Sequence, residues 1–216
     1  TALLRPDGNV SPDNQTGWAE SNWTNLRRVN YMLDNMHKCK GRVSDEIYNH
    51  YEGVARFWRA WFYYDKVQTF GAVPWYDFTI AASDKEAMMK PRDSREYVMD
   101  KVLEDLTFAS TYCLSDAKFT KGSALINKWV ALAFKSRVCL FEAAYRRYHN
   151  LTGLEITPEE LYREAAKAAK LVIDNSGCSL NTAAGKKGAY RDLFYSETPL
   201  TQEVILAVCA NEKSGI

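Results

Sequence analysis

The sequence predicts a mainly α-helical protein with little sheet. Apolar residues recur at intervals of three and four along five long stretches, which is the period of an amphipathic helix. Residues typical of helix starts precede several of these stretches. The chain has 216 residues, of which 46% are hydrophobic and 25% charged, so it can bury a core and is unlike a disordered chain. Short joins predict tetratricopeptide-like helix-turn-helix pairs, without the strict period of a regular repeat array.

Residues 1–17 contain four Pro and Gly residues, and this pattern predicts an irregular N-terminal arm. Residues 18–208 form the predicted helical domain. Its first helix is expected from Trp18 to Lys40, with Gly41 at its end.

The second predicted helix begins at Ser44, a good N-cap, and runs to Val67. Because bulky residues occur on nearly every side, this helix is expected at the centre of the core. The apolar face is expected to consist of Ile47, Tyr51, Val54, Trp58 and Trp61.

A loop over residues 70–82 precedes the third helix, for which Asp93 and Glu96 resemble a capping box. The buried face of this helix is expected to be Met99, Val102, Leu103, Leu106, Ser110 and Cys113. The fourth helix is expected to follow a turn around Gly122 and to end near His149.

The fifth helix has the strongest start signal in the chain. Thr157 is the predicted N-cap, Pro158 the first helical residue and Glu160 the capping-box partner, and Gly177 ends the helix. Its expected buried face is Leu161, Ala165, Ala168 and Val172. Residues 190–194 are expected to form one helical turn, residues 204–208 a strand, and residues 209–216 a truncated C-terminal segment.

Charge and cysteine content exclude several classes. The net charge is +1 and basic residues do not cluster, so no nucleic-acid contact is expected. Five cysteines without a C-x-x-C pair do not form a closed disulfide framework. His37 and Cys39 are two residues apart and cannot share a helix face, so neither a metal site nor a cofactor is expected.

One segment resembles the signature of a known family. Residues 53–64 read GVARFWRAWFYY and lead into residues 70–74, FGAVP. Three further blocks agree in order, in residues 97–106, 121–138 and 162–173 followed by 203–205. These blocks resemble the SusD/RagB family of outer-membrane nutrient-binding lipoproteins. Val54, Trp58 and Ala72 depart from the residues expected in that family.

The resemblance implies a non-catalytic protein that binds glycans or another nutrient at the cell surface and delivers them to a SusC-like TonB-dependent β-barrel transporter. It also implies a lipid anchor upstream of Thr1, and a C-terminal part beyond Ile216 that supplies much of the sugar site. No sugar-contacting residue transfers by motif match.

Candidate ligand-binding residues follow from the residue types. Trp75, Tyr76 and Asp77 come after a turn, where aromatic rings can stack on a pyranose and a carboxylate can accept hydroxyl hydrogen bonds. Trp18 has similar standing, although core packing remains the alternative for these aromatic residues.

Arg56 and Arg59 lie one turn apart on the most apolar helix, and they are expected to be structural. A buried guanidinium needs an acidic partner, and Asp105 or Glu142 could supply one. The alternative is that one arginine grips a ligand. Gly71 and Pro74 are expected to shape the turn that follows this helix.

Two other functions stay open from the sequence. A helical-repeat adaptor could bind a protein partner without any sugar. A glycoside hydrolase needs two carboxyls about 5–10 Å apart across a cleft, whereas adjacent Glu104 and Asp105 point about 100° apart on a helix.

Overall fold

The computed structural model describes residues 18, 20–115, 125–195 and 198–207. The predicted arm at 1–17, the turn around Gly122 and the segment 209–216 lie outside these residues. The mainly helical prediction is confirmed, since the described residues form no β-strand beyond two isolated bridges.

Seven α-helices lie in the described part of the chain. Their bounds are α1 Glu20–Asn35, α2 Asp45–Phe70, α3 Lys85–Met88, α4 Arg95–Tyr112, α5 Lys128–Tyr148, α6 Pro158–Asn175 and α7 Gly185–Tyr195. A 3₁₀ turn, Met36–Cys39, continues α1.

Side chains cap the starts of α2, α5 and α6. Ser44 accepts a hydrogen bond from the Ile47 amide at the start of α2, and Asn127 caps α5. The capping box of α6 is present, because the Glu160 amide donates to Thr157 Oγ1 and the Thr157 amide donates to Glu160.

The predicted cap of α4 is wrong by one residue. Ser94 is the N-cap and accepts from the Tyr97 amide. Asp93 is committed elsewhere, because its carboxylate accepts from the Trp75 amide at 2.7 Å and from Lys90 at 2.6 Å. Asp93 thus anchors the loop at Trp75, and the Ser94 hydroxyl caps the helix.

The long helices pack as successive neighbours. Helix α2 contacts α1 and α4, α4 also contacts α5, and α5 contacts α6. Gly53 lets α2 and α4 approach closely, because a Cβ there would lie 2.8 Å from Cys113 Sγ. The predicted buried faces of α4 and α6 are confirmed at every position named.

The predicted apolar face of α2 is wrong at three of its five positions, whereas Ile47 and Val54 are half-buried. Tyr51, Trp58 and Trp61 are 47%, 43% and 40% exposed, whereas the buried residues of this helix include Gly53, Ala55, Phe57, Ala60, Tyr63, Tyr64 and Val67. Periodicity cannot choose between sides when apolar residues surround the helix. The side of α2 that packs against α4, which includes Gly53, is buried instead, and Trp58 and Trp61 remain exposed.

Two predictions near the C-terminus also need correction. Residues 185–195 form a helix of three turns where one turn was expected. Residues 204–207 form no strand, and Val208 lies outside the described residues.

Candidate ligand-binding site

The turn after α2 holds the predicted ligand-binding residues in place. Gly71 ends the helix with φ of +71°, a value that L side chains rarely adopt. The Tyr63 hydroxyl accepts from the Tyr76 amide at 2.6 Å and lies 3.3 Å from the Pro74 carbonyl oxygen, to which it can donate. Burial raises the pKa of Tyr63, so the hydroxyl keeps its proton for this contact.

The Trp75 and Tyr76 rings lie in the core. They are 5% and 6% exposed. The Trp75 ring packs 4.3 Å from that of Tyr63, and the Tyr76 hydroxyl donates to the Ala87 carbonyl at 2.7 Å. Neither ring presents a free face for stacking, so their observed role is core packing, and contact with a ligand stays a prediction. Asp77 is exposed, and Trp18 is half-buried against Trp23 and Phe70.

The four predicted residues divide between two pockets. Trp75 and Asp77 line a polar cleft of about 380 Å³ between the end of α1, α2 and α4. Trp18 and Tyr76 line an apolar pocket of about 490 Å³ beside α1. The polar cleft is lined by Leu33, Asp34, Met36, Tyr48, Glu52, Arg56, Arg59, Trp75, Asp77, Lys101, Glu104 and Asp105.

Ion pairs organise the polar cleft. Arg59 is 6% exposed and bonds Asp105 through two contacts, Nε to Oδ2 at 2.7 Å and Nη2 to Oδ1 at 2.8 Å. Burial alone would lower the pKa of Arg59, but the Asp105 carboxylate reverses this, and the pKa is raised. Arg56 pairs with Glu52 at 2.7 Å and reaches Asp105 at 3.4 Å. The expected ion pair of Arg59 with Asp105 is therefore present.

Glu142, the other acid considered for these arginines, belongs to a separate buried network. Arg95 grips it with contacts of 2.9 and 2.7 Å, and Arg146 donates to it at 2.7 Å. Arg146 also bonds Asp100 at 2.7 Å. The i,i+4 spacing of Glu142 and Arg146 was a sequence signal for part of this network, but the partner from α4 depends on tertiary packing.

Asn30 holds the turn whose residues line the two pockets, and sequence reasoning missed it. It is 1% exposed, and its amide group donates to the carbonyls of Tyr76 and Phe78 at 2.9 and 3.0 Å. These bonds tie α1 to the turn that carries Asp77. A single asparagine in a helix gives no sequence signal for such a role.

The described residues contain no group of three or more His, Cys, Asp or Glu side chains that could hold a metal ion. Among the same residues, no helix combines the length and apolarity that crossing a bilayer requires.

The packed helices define a mainly α-helical class of protein, and the sequence match is more specific. A family model, SusD-like and described as starch-binding and associating with the outer membrane, matches residues 9–140. Because this match covers more than half of the chain, the protein belongs to that SusD-like family. No curated protein sequence matches the chain.

Solved structures show the same fold. A SusD homolog from Bacteroides thetaiotaomicron has a TM-score of 0.67 at 19% identity, covering 94% of this chain and 38% of that one. Surface glycan-binding protein A from Bacteroides fluxus has a TM-score of 0.62 at 18% identity, covering 85% and 34%. A structure with a xylogluco-oligosaccharide has a TM-score of 0.61 at 19% identity, covering 86% and 34%. The chain thus spans about one third of the length of these solved chains.

Proposed function

We propose that this protein binds glycans without cleaving them and passes them to a SusC-like TonB-dependent transporter. The observation that carries the proposal is the polar cleft, a concave site in which nine of the twelve lining residues carry a charge or a hydroxyl. Membership of a family described as starch-binding supports the same ligand class.

A hydroxyl-rich ligand fits the chemistry of this cleft. Each sugar hydroxyl bonds water before binding, so exchange for a protein partner gains only about 0.5–1.5 kcal/mol per hydrogen bond. Useful affinity therefore needs several partners that are already in place. The Arg59–Asp105 and Arg56–Glu52 pairs fix the walls in advance, and this reduces the side-chain ordering that binding requires.

The same pairs support binding over hydrolysis. A glycosidase needs one carboxyl to give a proton and a second to attack the sugar or activate water. Four of the five carboxylates that line the cleft already have a hydrogen-bond or ion-pair partner in the described structure: Asp34 with the Thr79 amide, Glu52 with Arg56, Glu104 with Lys101, and Asp105 with Arg59.

Delivery to a transporter and a surface lipid anchor complete the proposal. Both rest on the SusD resemblance and on a family described as associating with the outer membrane. Co-purification tests this part. We expect the native protein to be recovered with a large β-barrel from outer membranes solubilised in mild detergent. Recovery of the native protein alone, while the barrel is abundant in the same membranes, would contradict delivery.

Affinity electrophoresis tests glycan binding directly. The native protein is run through gels that contain starch, xyloglucan, xylan or mannan, and a bound polysaccharide retards its migration. Asp77→Ala, in the cleft, should reduce the retardation, whereas Asp174→Ala, an exposed carboxylate on α6, should not. Migration unaffected by every polysaccharide would contradict the proposal and favour the adaptor.

A further inference from the structure

The exposed face of α2 forms one wall of a groove that contains none of the ligand-binding residues predicted from the sequence. We name it the tryptophan groove, with a volume of about 640 Å³ between α1 and α2. It is lined by Ser21, Asn22, Asn25, Arg28, Val29, Trp58, Trp61, Phe62, Asp65 and Lys66.

Two indole rings form the floor of the tryptophan groove. The Trp58 and Trp61 centroids lie 6.1 Å apart with the ring planes at 57°. Trp61 stacks on Phe134 of α5 at 4.6 Å and 23°, and the Trp58 ring lies 5.5 Å from that of Phe57 with the planes at 83°. These contacts hold one side of each ring, while 43% of Trp58 and 40% of Trp61 remains exposed. The exposed aromatic surface is therefore preorganised.

Polar groups face this floor from α1. Asn25 and Arg28 are exposed and Asn22 is half-buried, and none of these three side chains forms a hydrogen bond or ion pair with another described residue. Asp65 supplies a carboxylate whose side chain is 66% exposed. Two amides and a guanidinium thus stand beside the indole rings without a partner among the described residues. The neighbouring Asp65 carboxylate pairs with Lys66 at 3.5 Å and stays open to solvent.

A carbohydrate matches this combination better than other ligands do. A pyranose has a face of C–H groups that packs on an aromatic ring and a rim of hydroxyls that both donate and accept. An apolar protein segment would cover the rings but would leave Asn25 and Arg28 without partners in a desolvated interface, which is costly. A nucleic acid would need a more basic surface, because Asp65 offsets much of the charge of Arg28 and Lys66.

We propose that the tryptophan groove is a second carbohydrate-binding surface, which takes neighbouring sugar residues of one oligosaccharide on Trp58 and Trp61. The proposal rests on the proposed glycan-binding function but places a site apart from the polar cleft. Cleft residues Arg56 and Arg59 and groove residues Trp58 and Trp61 lie about half a helical turn apart around α2. The helix itself separates the two sites.

Fluorine NMR with 5-fluorotryptophan tests the tryptophan groove directly. The chain has six tryptophans, so the spectrum has few resonances and each can be assigned to one residue. The probes are malto-, cello-, xylo- and manno-oligosaccharides and a xylogluco-oligosaccharide. With a sugar that binds, the Trp58 and Trp61 resonances should shift saturably. Trp61→Ala should weaken the groove affinity about tenfold. Asp77→Ala should leave these shifts unchanged.

Rim variants protect the test against misfolding. Asn25→Ala and Arg28→Ala remove exposed polar groups of α1 without opening the core, and each should weaken the groove affinity severalfold. Tyr148→Ala, which removes a ring that is 82% exposed on α5, should not. Glycan binding that shifts neither resonance and survives all groove variants would overturn the second site and leave the proposed function intact. Absence of binding to every sugar, by both NMR and gel retardation, would overturn both.

Discussion

The buried pair of Arg59 and Asp105 gives the sharpest stability prediction. Its two contacts are 2.7 and 2.8 Å, and the side chains are 7% and 2% exposed. Arg59→Ala leaves a desolvated carboxylate, and breaking a buried pair in this way costs about 3–5 kcal/mol. Arg56, which is 3.4 Å from Asp105, retains part of the compensation. We therefore expect a loss near the lower end, about 3 kcal/mol.

Thermal unfolding followed by circular dichroism measures this loss. For a chain of this size each kcal/mol shifts Tm by about 2–4 °C, so Arg59→Ala should lower Tm by about 6–12 °C. Lys170→Ala is the matched control, since it breaks an i,i+4 pair whose side chains are 76% and 45% exposed. The control should change stability by no more than about 0.5 kcal/mol.

A double substitution tests whether the loss of stability comes from the unpaired Asp105 charge. Arg59→Met with Asp105→Leu removes both charges, so the double variant should be more stable than Arg59→Ala. An unchanged melting curve for Arg59→Ala, combined with lost glycan retardation, would refute the structural role and make Arg59 a ligand-binding residue.

Three further predictions concern other parts of the fold. Asn30→Ala should lower the free energy of unfolding in urea by about 1–3 kcal/mol, because it removes a buried donor from two carbonyls. An unchanged urea midpoint would show that these hydrogen bonds do not stabilise the fold. The Lys135 hydrogen bond lowers the pKa of Glu164 below its ordinary 4.5, so the stability that this bond contributes is present above pH 4.5 and is lost as pH falls through the folded-state pKa. Glu164→Gln should therefore flatten the pH dependence of Tm below pH 4.5. A variant whose Tm falls with pH as steeply as that of the wild type would contradict this. Burial raises the pKa of Cys113 to about 12, so iodoacetamide at pH 8 should label exposed Cys39 and spare Cys113. Peptide mass spectrometry measures the labelling, and equal labelling of the two cysteines would contradict the burial of Cys113.

Helices with one clear apolar face were predictable from the sequence. The buried side of α6 has only small and aliphatic residues, and the Thr157 capping box marks its start, so local signals and packing agree. In α2 the local signals do not determine which side is buried, because aromatic residues surround the helix. Its orientation depends on α4, and the sequence alone does not contain that geometry in readable form.

The candidate site was predicted only in part. The pairing of Arg59 followed from the cost of burying an unpaired charge, which is a general rule. The burial of Trp75 and Tyr76 depends on Tyr63 and Asp93, residues separated from the turn by 11 to 18 positions. The exposed tryptophans at positions 58 and 61 were assigned to the core for a related reason. Periodicity indicates a helix, but it does not show which neighbouring element covers each face.

Titration calorimetry with product analysis tests the central claim most directly. An oligosaccharide prepared from the polysaccharide that retards the native protein is titrated into that protein, and the mixture is then separated by chromatography. The account predicts saturable binding and full recovery of the intact oligosaccharide. Shorter products that accumulate with time, or no binding heat with any retarding polysaccharide, would contradict it.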